Sequence, residues 1–133
     1  MNGKLPIGYY LKNADRLLTE GINHIHREMG ITRTDWQILN SIHENDKIDL
    51  LKIAELLTAF ADKETIGNAV AALEKRQLIV DNQFLSLTET GKKLFETCLQ
   101  KQKAFRQKSM EGLTQEEYVQ TISFLEKLID NLK

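Results

Sequence analysis

The residue types best suited to specific chemistry gather in one short stretch. Lys63, Glu64, Thr65 and Asn68 lie close together, and Lys75 follows two helical turns later. A lysine can donate to guanine, and an asparagine can pair with both hydrogen-bonding groups of adenine. Glu64 can accept from cytosine, while Thr65 suits a phosphate or a thymine methyl. The bland alternative is the solvated face of a surface helix, so the surrounding elements must decide. Other reactive types are scattered. His24 and His26 stand two residues apart, which points them to different faces of a helix, whereas paired metal ligands need steps of three or four. His43 has no partner by spacing. The single cysteine, Cys98, allows neither an internal disulfide nor a multi-cysteine zinc site. It falls in step with Phe95 and Leu99 on an apolar stripe, which fits a buried thiol better than an exposed redox sensor. No nucleophile elbow, phosphate-binding glycine loop or zinc-protease helix motif occurs. No catalytic residue, metal site or cofactor is expected, and the chain does not read as an enzyme.

Charge and size narrow the field. The 133 residues carry 18 basic and 19 acidic side chains, a net charge of −1. A nucleic-acid binder often has a basic total, and this chain does not. Its one strongly basic run is Lys92, Lys93, Lys101, Lys103, Arg106 and Lys108, for which a solvated helix face is a simpler account than phosphate contact. Length and an apolar fraction of 41% fit one globular domain over 1–133. Apolar runs are too short to span a membrane, and no secretory pattern opens the chain. A cytoplasmic protein without a membrane partner is expected.

The elements that would position these residues can be read from periodicity. Ile7, Tyr10, Leu11, Ala14, Leu17, Leu18, Ile22, Ile25 and Met29 recur at helical steps between Pro6 in the first turn and a stop at Gly30. That helix, about 24 residues by spacing, is too long for so small a core to cover. A second helix spans about Arg33 to Asn45, capped by Thr32 or Thr34, with Trp36, Ile38, Leu39 and Ile42 inward. Asp49 caps a short third helix to Leu57 that buries Leu51, Ile53, Ala54 and Leu57. Asp62 caps a fourth, running to about Arg76, with Ile66, Ala69, Val70 and Leu73 inward. Two helices joined by a short turn, with small Ala54 at their crossing, make a helix-turn-helix. Leu78–Val80 and Phe84–Leu87 then read as strands of a hairpin around the loop Asp81-Asn82-Gln83. Thr88 caps a fifth helix, in whose first turn Gly91 is tolerated, and Thr114 to Glu117 form a capping box for the last. The fold class is mainly α with a small β-hairpin: a winged helix-turn-helix over about 32–91, flanked by long helices at 5–30 and 92–133. Those flanking helices supply more apolar surface than the core needs, and a twofold dimer is the simplest way to bury it.

In this order the sequence resembles the MarR family of bacterial transcriptional regulators over essentially its whole length. Seven fragments carry the resemblance: Ile7–Leu11, Gly30–Thr32 with Trp36–Leu39, Leu51–Leu57, Asp62–Ile66, Leu73–Ile79, Leu87–Lys92 and Gly112–Glu117. The resemblance implies a homodimer, joined through the first and last two helices, that binds pseudo-palindromic double-stranded DNA. It places the fourth helix in the major groove and the hairpin tip in the minor groove, which assigns Lys63, Glu64, Thr65, Asn68, Lys75, Asn82 and Gln83 to DNA. It also implies release by a small aromatic ligand in many members, for which Tyr9, Tyr10, Arg16 and Trp36 are the candidate pocket. Other members sense oxidants or zinc, but the family's sensing cysteine lies near the first helix, where this chain has none. The chain departs from the family pattern at three places. The hairpin loop is short and lacks a cation, and Gly67 and Asn68 stand where a hydroxyl residue and an arginine or other polar reader are usual. The turn Thr58 to Ala61 is also longer than usual and lacks its glycine. The alternative function is therefore the same dimeric fold with weak or lost DNA binding, acting as a protein-interaction or ligand-binding module.

Overall fold

The computed structural model describes residues 3–133. Their elements, in order, are α1 (Ile7–Glu28), α2 (Arg33–Glu44), α3 (Leu50–Leu56), α4 (Lys63–Lys75), β1 (Ile79–Asn82), β2 (Phe84–Leu87), α5 (Glu89–Ser109) and α6 (Gln115–Leu132). The strands pair antiparallel, Ile79 with Leu87 and Asn82 with Phe84. The chain divides into two compact units, one ending at Gln102 and the other covering Lys103–Lys133, with α5 continuous through the boundary. No described helix is long and apolar enough to cross a membrane.

Helix starts are fixed by short polar side chains that satisfy otherwise unpaired N–H groups. Thr32, and not Thr34, caps α2: its hydroxyl accepts from the Asp35 amide while the Asp35 carboxylate accepts from the Thr32 amide, both at 3.0 Å. Thr114 and Glu117 repeat this reciprocal arrangement at α6. Asp49 caps α3 by accepting from the Lys52 amide, and Asp62 caps α4 by accepting from the Thr65 amide at 2.8 Å. Such caps are each worth about 1 kcal/mol.

The core of the first unit is apolar and drawn from every element of the helix-turn-helix and hairpin. Ile38, Leu39 and Ile42 of α2 meet Ile53 and Ala54 of α3, Ile66, Val70 and Leu73 of α4, and Leu85 of β2. Ile48 adds a single extended bridge, accepting from the Leu85 amide at 2.7 Å. Leu51 does not join them. It is 61% exposed, because two residues before Ile53 it lies about 200° around the helix from the buried stripe. The hairpin also differs from its sequence reading. Asp81 and Asn82 belong to β1, and the chain reverses at Gln83 alone, in left-handed backbone at φ 74°. Leu78 lies outside the strand because it completes the end of α4: its amide donates to the Leu73 carbonyl, and that of Gln77 (φ 61°) donates to Glu74. This is a Schellman stop.

At the far side of the hairpin Thr88 ties the chain back to that stop. Its amide donates to the Leu78 carbonyl at 3.1 Å, and its hydroxyl donates to the Gln77 carbonyl at 2.6 Å while accepting from the Gly91 amide at 3.0 Å. Gly91 is pressed against the Leu78 carbonyl so closely that a Cβ would overlap its oxygen. The glycine is therefore required by contact, and not merely tolerated.

A polar cluster is buried between α1 and α5. His26 and Gln102 are both buried, and Cys98 is fully so. The Gln102 side-chain amide lies 3.3 Å from His26 Nε2 and 3.6 Å from Cys98 Sγ. His26 Nδ1 is buried with no hydrogen-bond partner among the described residues. The ring stacks on Trp36, Trp36 stacks on Phe95 at 4.7 Å, and Phe95 on His43 at 4.4 Å. Burial pushes the His26 pKa down, with Arg33 adding to the shift and Asp35 opposing it. Burial likewise pushes the Cys98 thiol up, against the weaker pull of Gln102 and Lys101. Cys98 is thus the buried, protonated thiol that its spacing suggests.

Two stability measurements follow. In urea titrations Gly91→Ala should lose about 1–3 kcal/mol or more by overpacking. Gly67→Ala, where a Cβ meets nothing within 4 Å, should gain up to about 1 kcal/mol. For His26 the unfolded state takes up its proton first, because the folded pKa lies below 6.5. Its contribution is complete above that value and is lost as pH falls through the folded pKa. His26→Gln should flatten stability against pH on the acid side of 6.5, and an unchanged slope would contradict the assignment.

Candidate nucleic-acid interface

Helical periodicity sorts the residues of α4 into an inner and an outer face. Ile66, Val70 and Leu73 are buried, which turns Glu64, Asn68, Ala71 and Lys75 outward on the opposite stripe. Lys63 and Thr65 flank this stripe on either side, one residue (about 100°) away from Glu64. All five candidates of the helix are exposed. The structure thus brings Glu64, Asn68 and Lys75 onto one line and leaves Lys63 and Thr65 at the edges of its first turn. The Asp62 carboxylate sits at that end, held below the usual carboxylate range by the Thr65 backbone N–H and then by the Thr65 side chain.

Asn82 and Gln83 are exposed at the hairpin tip, and β1 packs against α4. The tip offers amides and no positive charge. Arg76 is exposed at the end of α4 and keeps its charge, but its guanidinium donates to the Gly30 carbonyl at 3.0 Å, joining the end of α4 to the end of α1. The sequence pattern marks Arg76 only as the approximate end of this helix, and a 46-residue separation leaves no local signal of the bond. Neighbouring cations are partly answered by acids on their own helices, Lys52 by Glu55 at 3.9 Å and Lys92 by Glu89 at 3.5 Å. Both pairs are exposed and contribute little. The face is close to neutral.

The candidate ligand residues fall into two groups. Tyr9 and Tyr10 are exposed on the first turns of α1, edge to face at 5.4 Å, with the Tyr10 hydroxyl accepting from the Leu5 amide. Arg16 pairs with Glu20 at 3.3 Å and also donates to Asn13. Trp36 instead belongs to the aromatic column over His26, ten residues and about 15 Å further along α1 from Arg16. The four do not converge within one chain. A cleft of about 520 Å³ opens elsewhere in the same unit, lined by His43, Asp46, Ser86, Lys92, Phe95 and Glu96 among others. No local sequence pattern signals it, since its walls come from three separate segments. Of the histidines singled out, His24 is exposed beside Glu28 and His26 is buried, and the described residues form no group of three or more metal-ligating side chains.

No family model and no curated protein sequence matches the chain. Solved structures do. MepR, a transcription regulator of the Staphylococcus aureus multidrug efflux pump MepA, superposes with a TM-score of 0.76 at 23% identity, over 97% of this chain and 100% of that one. The MarR family protein Rv2887 of Mycobacterium tuberculosis, solved in complex with DNA, gives 0.73 at 18% identity, over 94% and 98%. The reduced form of MarR from E. coli gives 0.69 at 19% identity, over 96% of each chain. At such identities the likeness is one of architecture, and it extends over nearly the full length of each chain. Helix-turn-helix, hairpin and flanking helices are in the same order, so the protein has the winged-helix fold of the MarR family.

Proposed function

We propose that the chain is a MarR-family transcriptional regulator that binds pseudo-palindromic double-stranded DNA as a homodimer in the cytoplasm. The observation that carries this reading is the outward stripe of α4, exposed and unobstructed in a fold that one relative, Rv2887, presents in complex with DNA. In this reading Lys63, Glu64, Thr65, Asn68 and Lys75 meet the major groove, and Asn82 and Gln83 reach the minor groove. Residues about 32–91 are the DNA-binding core, and 5–30 with 92–133 are the dimerisation helices. Support for the dimer comes from apolar side chains left in water. Ile7, Tyr10, Leu17 and Leu18 of α1 are exposed, and α6 has no buried residue although it carries Tyr118, Val119, Ile122, Phe124 and Ile129. A face of that kind asks for a partner, and a second copy of the same chain supplies one by symmetry. A small aromatic ligand between the regions, with Tyr9, Tyr10, Arg16 and Trp36 as its contacts, belongs to the same proposal. It requires surfaces from both copies, since the four residues are separate in one. No catalytic role is proposed.

A second reading keeps the dimer and gives up the operator, leaving a protein-interaction or ligand-binding module. It is favoured by the uncharged hairpin tip and by Leu51 and Phe60, both more than half exposed beside the helix-turn-helix turn.

Two experiments test these readings. Ile122→Glu or Leu125→Glu should give aggregated or unfolded protein, whereas the parent should sediment as a dimer; a stable parent monomer at low micromolar concentration contradicts the proposal. In polarisation titrations on a pseudo-palindrome selected from random DNA, Lys63→Ala should weaken binding across sequences, and Asn68→Ala should relax one position per half-site. With so few cations the dependence on salt should be shallow, and Gln83→Arg should strengthen binding most at A·T-rich flanks. If selection enriches no sequence and the variants match the parent, the interaction module becomes the better account.

A further inference from the structure

The outer face of α4 is unusual for what it lacks. Behind Glu64 it presents Asn68, Ala71 and Ala72, all exposed, with Gly67 beside them and open space where its side chain would be. Reading guanine requires a donor that reaches O6 and N7, most often an arginine. The outward stripe has none before Lys75 in the last turn, and Lys63 stands off to the side. Glu64 can only accept, so it favours the amino groups of cytosine or adenine and opposes phosphate. What remains on the face is one amide and two methyl groups.

These groups match one kind of base pair. An asparagine amide can donate to adenine N7 and accept from N6, and an alanine methyl packs against the C5-methyl of thymine. Small neighbours at Gly67, Ala71 and Ala72 leave the Asn68 amide unobstructed and let the helix axis approach the groove floor closely. From Asn68 to Ala72 the helix rises about 6 Å, against 3.4 Å per base step, so the set covers two or three adjacent pairs. We infer that α4 reads a short run of A·T pairs in each half-site, with thymine methyls packed on Ala71 and Ala72 and an adenine held by Asn68. This rests on the DNA-binding reading above and specifies its substrate.

Deoxyuridine supplies the decisive probe, because it keeps every hydrogen bond of thymine and lacks only the methyl. After selection from random duplexes, replacing the contacted thymines by deoxyuridine should weaken binding about four-fold per methyl, as expected for losing one buried carbon. Ala71→Ser and Ala72→Ser should bind the thymine site more weakly and lose that sensitivity, while keeping the parent's circular dichroism. At an alanine-facing step, 5-methylcytosine should restore part of the affinity that plain cytosine loses, which separates methyl contact from the adenine pairing of Asn68. A selected site that is rich in G·C opposite α4, or one bound equally with deoxyuridine, overturns the inference while leaving DNA binding intact. Failure to enrich any sequence overturns the DNA-binding reading and this inference with it.

Discussion

The contact between Gly91 and the Leu78 carbonyl is the constraint on which the arrangement of α4, hairpin and α5 depends. Backbone meets backbone there without a side chain between them. Thr88 fixes the approach with three hydrogen bonds to Gln77, Leu78 and Gly91, so the two ends of the hairpin are held at one point. The hairpin is only four residues a side, and such a ribbon is marginal alone. Anchored at its base, it leaves the core at an angle set by the Schellman stop of α4 and the first turn of α5. The direction of the tip is thus a property of the junction and not of the strands.

The other organising feature is the aromatic column of His26, Trp36, Phe95 and His43. It starts on α1 at the buried cluster of His26, Gln102 and Cys98, passes through Trp36 of α2 to Phe95 of α5, and ends back on α2 at His43. Offset rings of this kind add about 0.5–1.5 kcal/mol per pair to their area burial. His26 Nδ1, without a partner among the described residues, runs against that gain, since a buried nitrogen left unpaired costs about 1–3 kcal/mol. The end of α1 is consequently well packed yet imperfectly satisfied.

Much of this was legible in the sequence because it is local. The caps at Thr32, Asp49, Asp62 and Thr114 each lie three residues from the amide they accept from, and the buried stripes of α2 and α4 follow from period alone. Cys98 was placed by its step from Phe95. The errors arise where one part of the chain answers another. Leu51 looked apolar enough for the core, but a seven-residue helix buries one stripe, and Ile53, Ala54 and Leu57 had already claimed it. The hairpin loop is narrower than its sequence suggests, because Gln83, although not a glycine, takes a positive φ and turns the chain alone. Arg76 and Gly91 depend on Gly30 and Leu78, neither of which the local pattern identifies. The outward placement of Lys63, Glu64, Thr65, Asn68 and Lys75 was readable for the same reason as the caps. Tyr9, Tyr10, Arg16 and Trp36 suit a ligand by type, and type does not bring distant segments together.

The small residues on α4 have a consequence in entropy. A lysine or arginine pinned at an interface gives up about 1.5–2 kcal/mol of side-chain freedom, whereas glycine and alanine have none to give. Gly67, Ala71 and Ala72 therefore meet any opposing surface already ordered, on a helix whose start Asp62 has fixed. Asn68 is the one polar side chain among them that must choose a rotamer. A face built this way gains little from attraction at a distance, yet it surrenders almost no motion when contact is made.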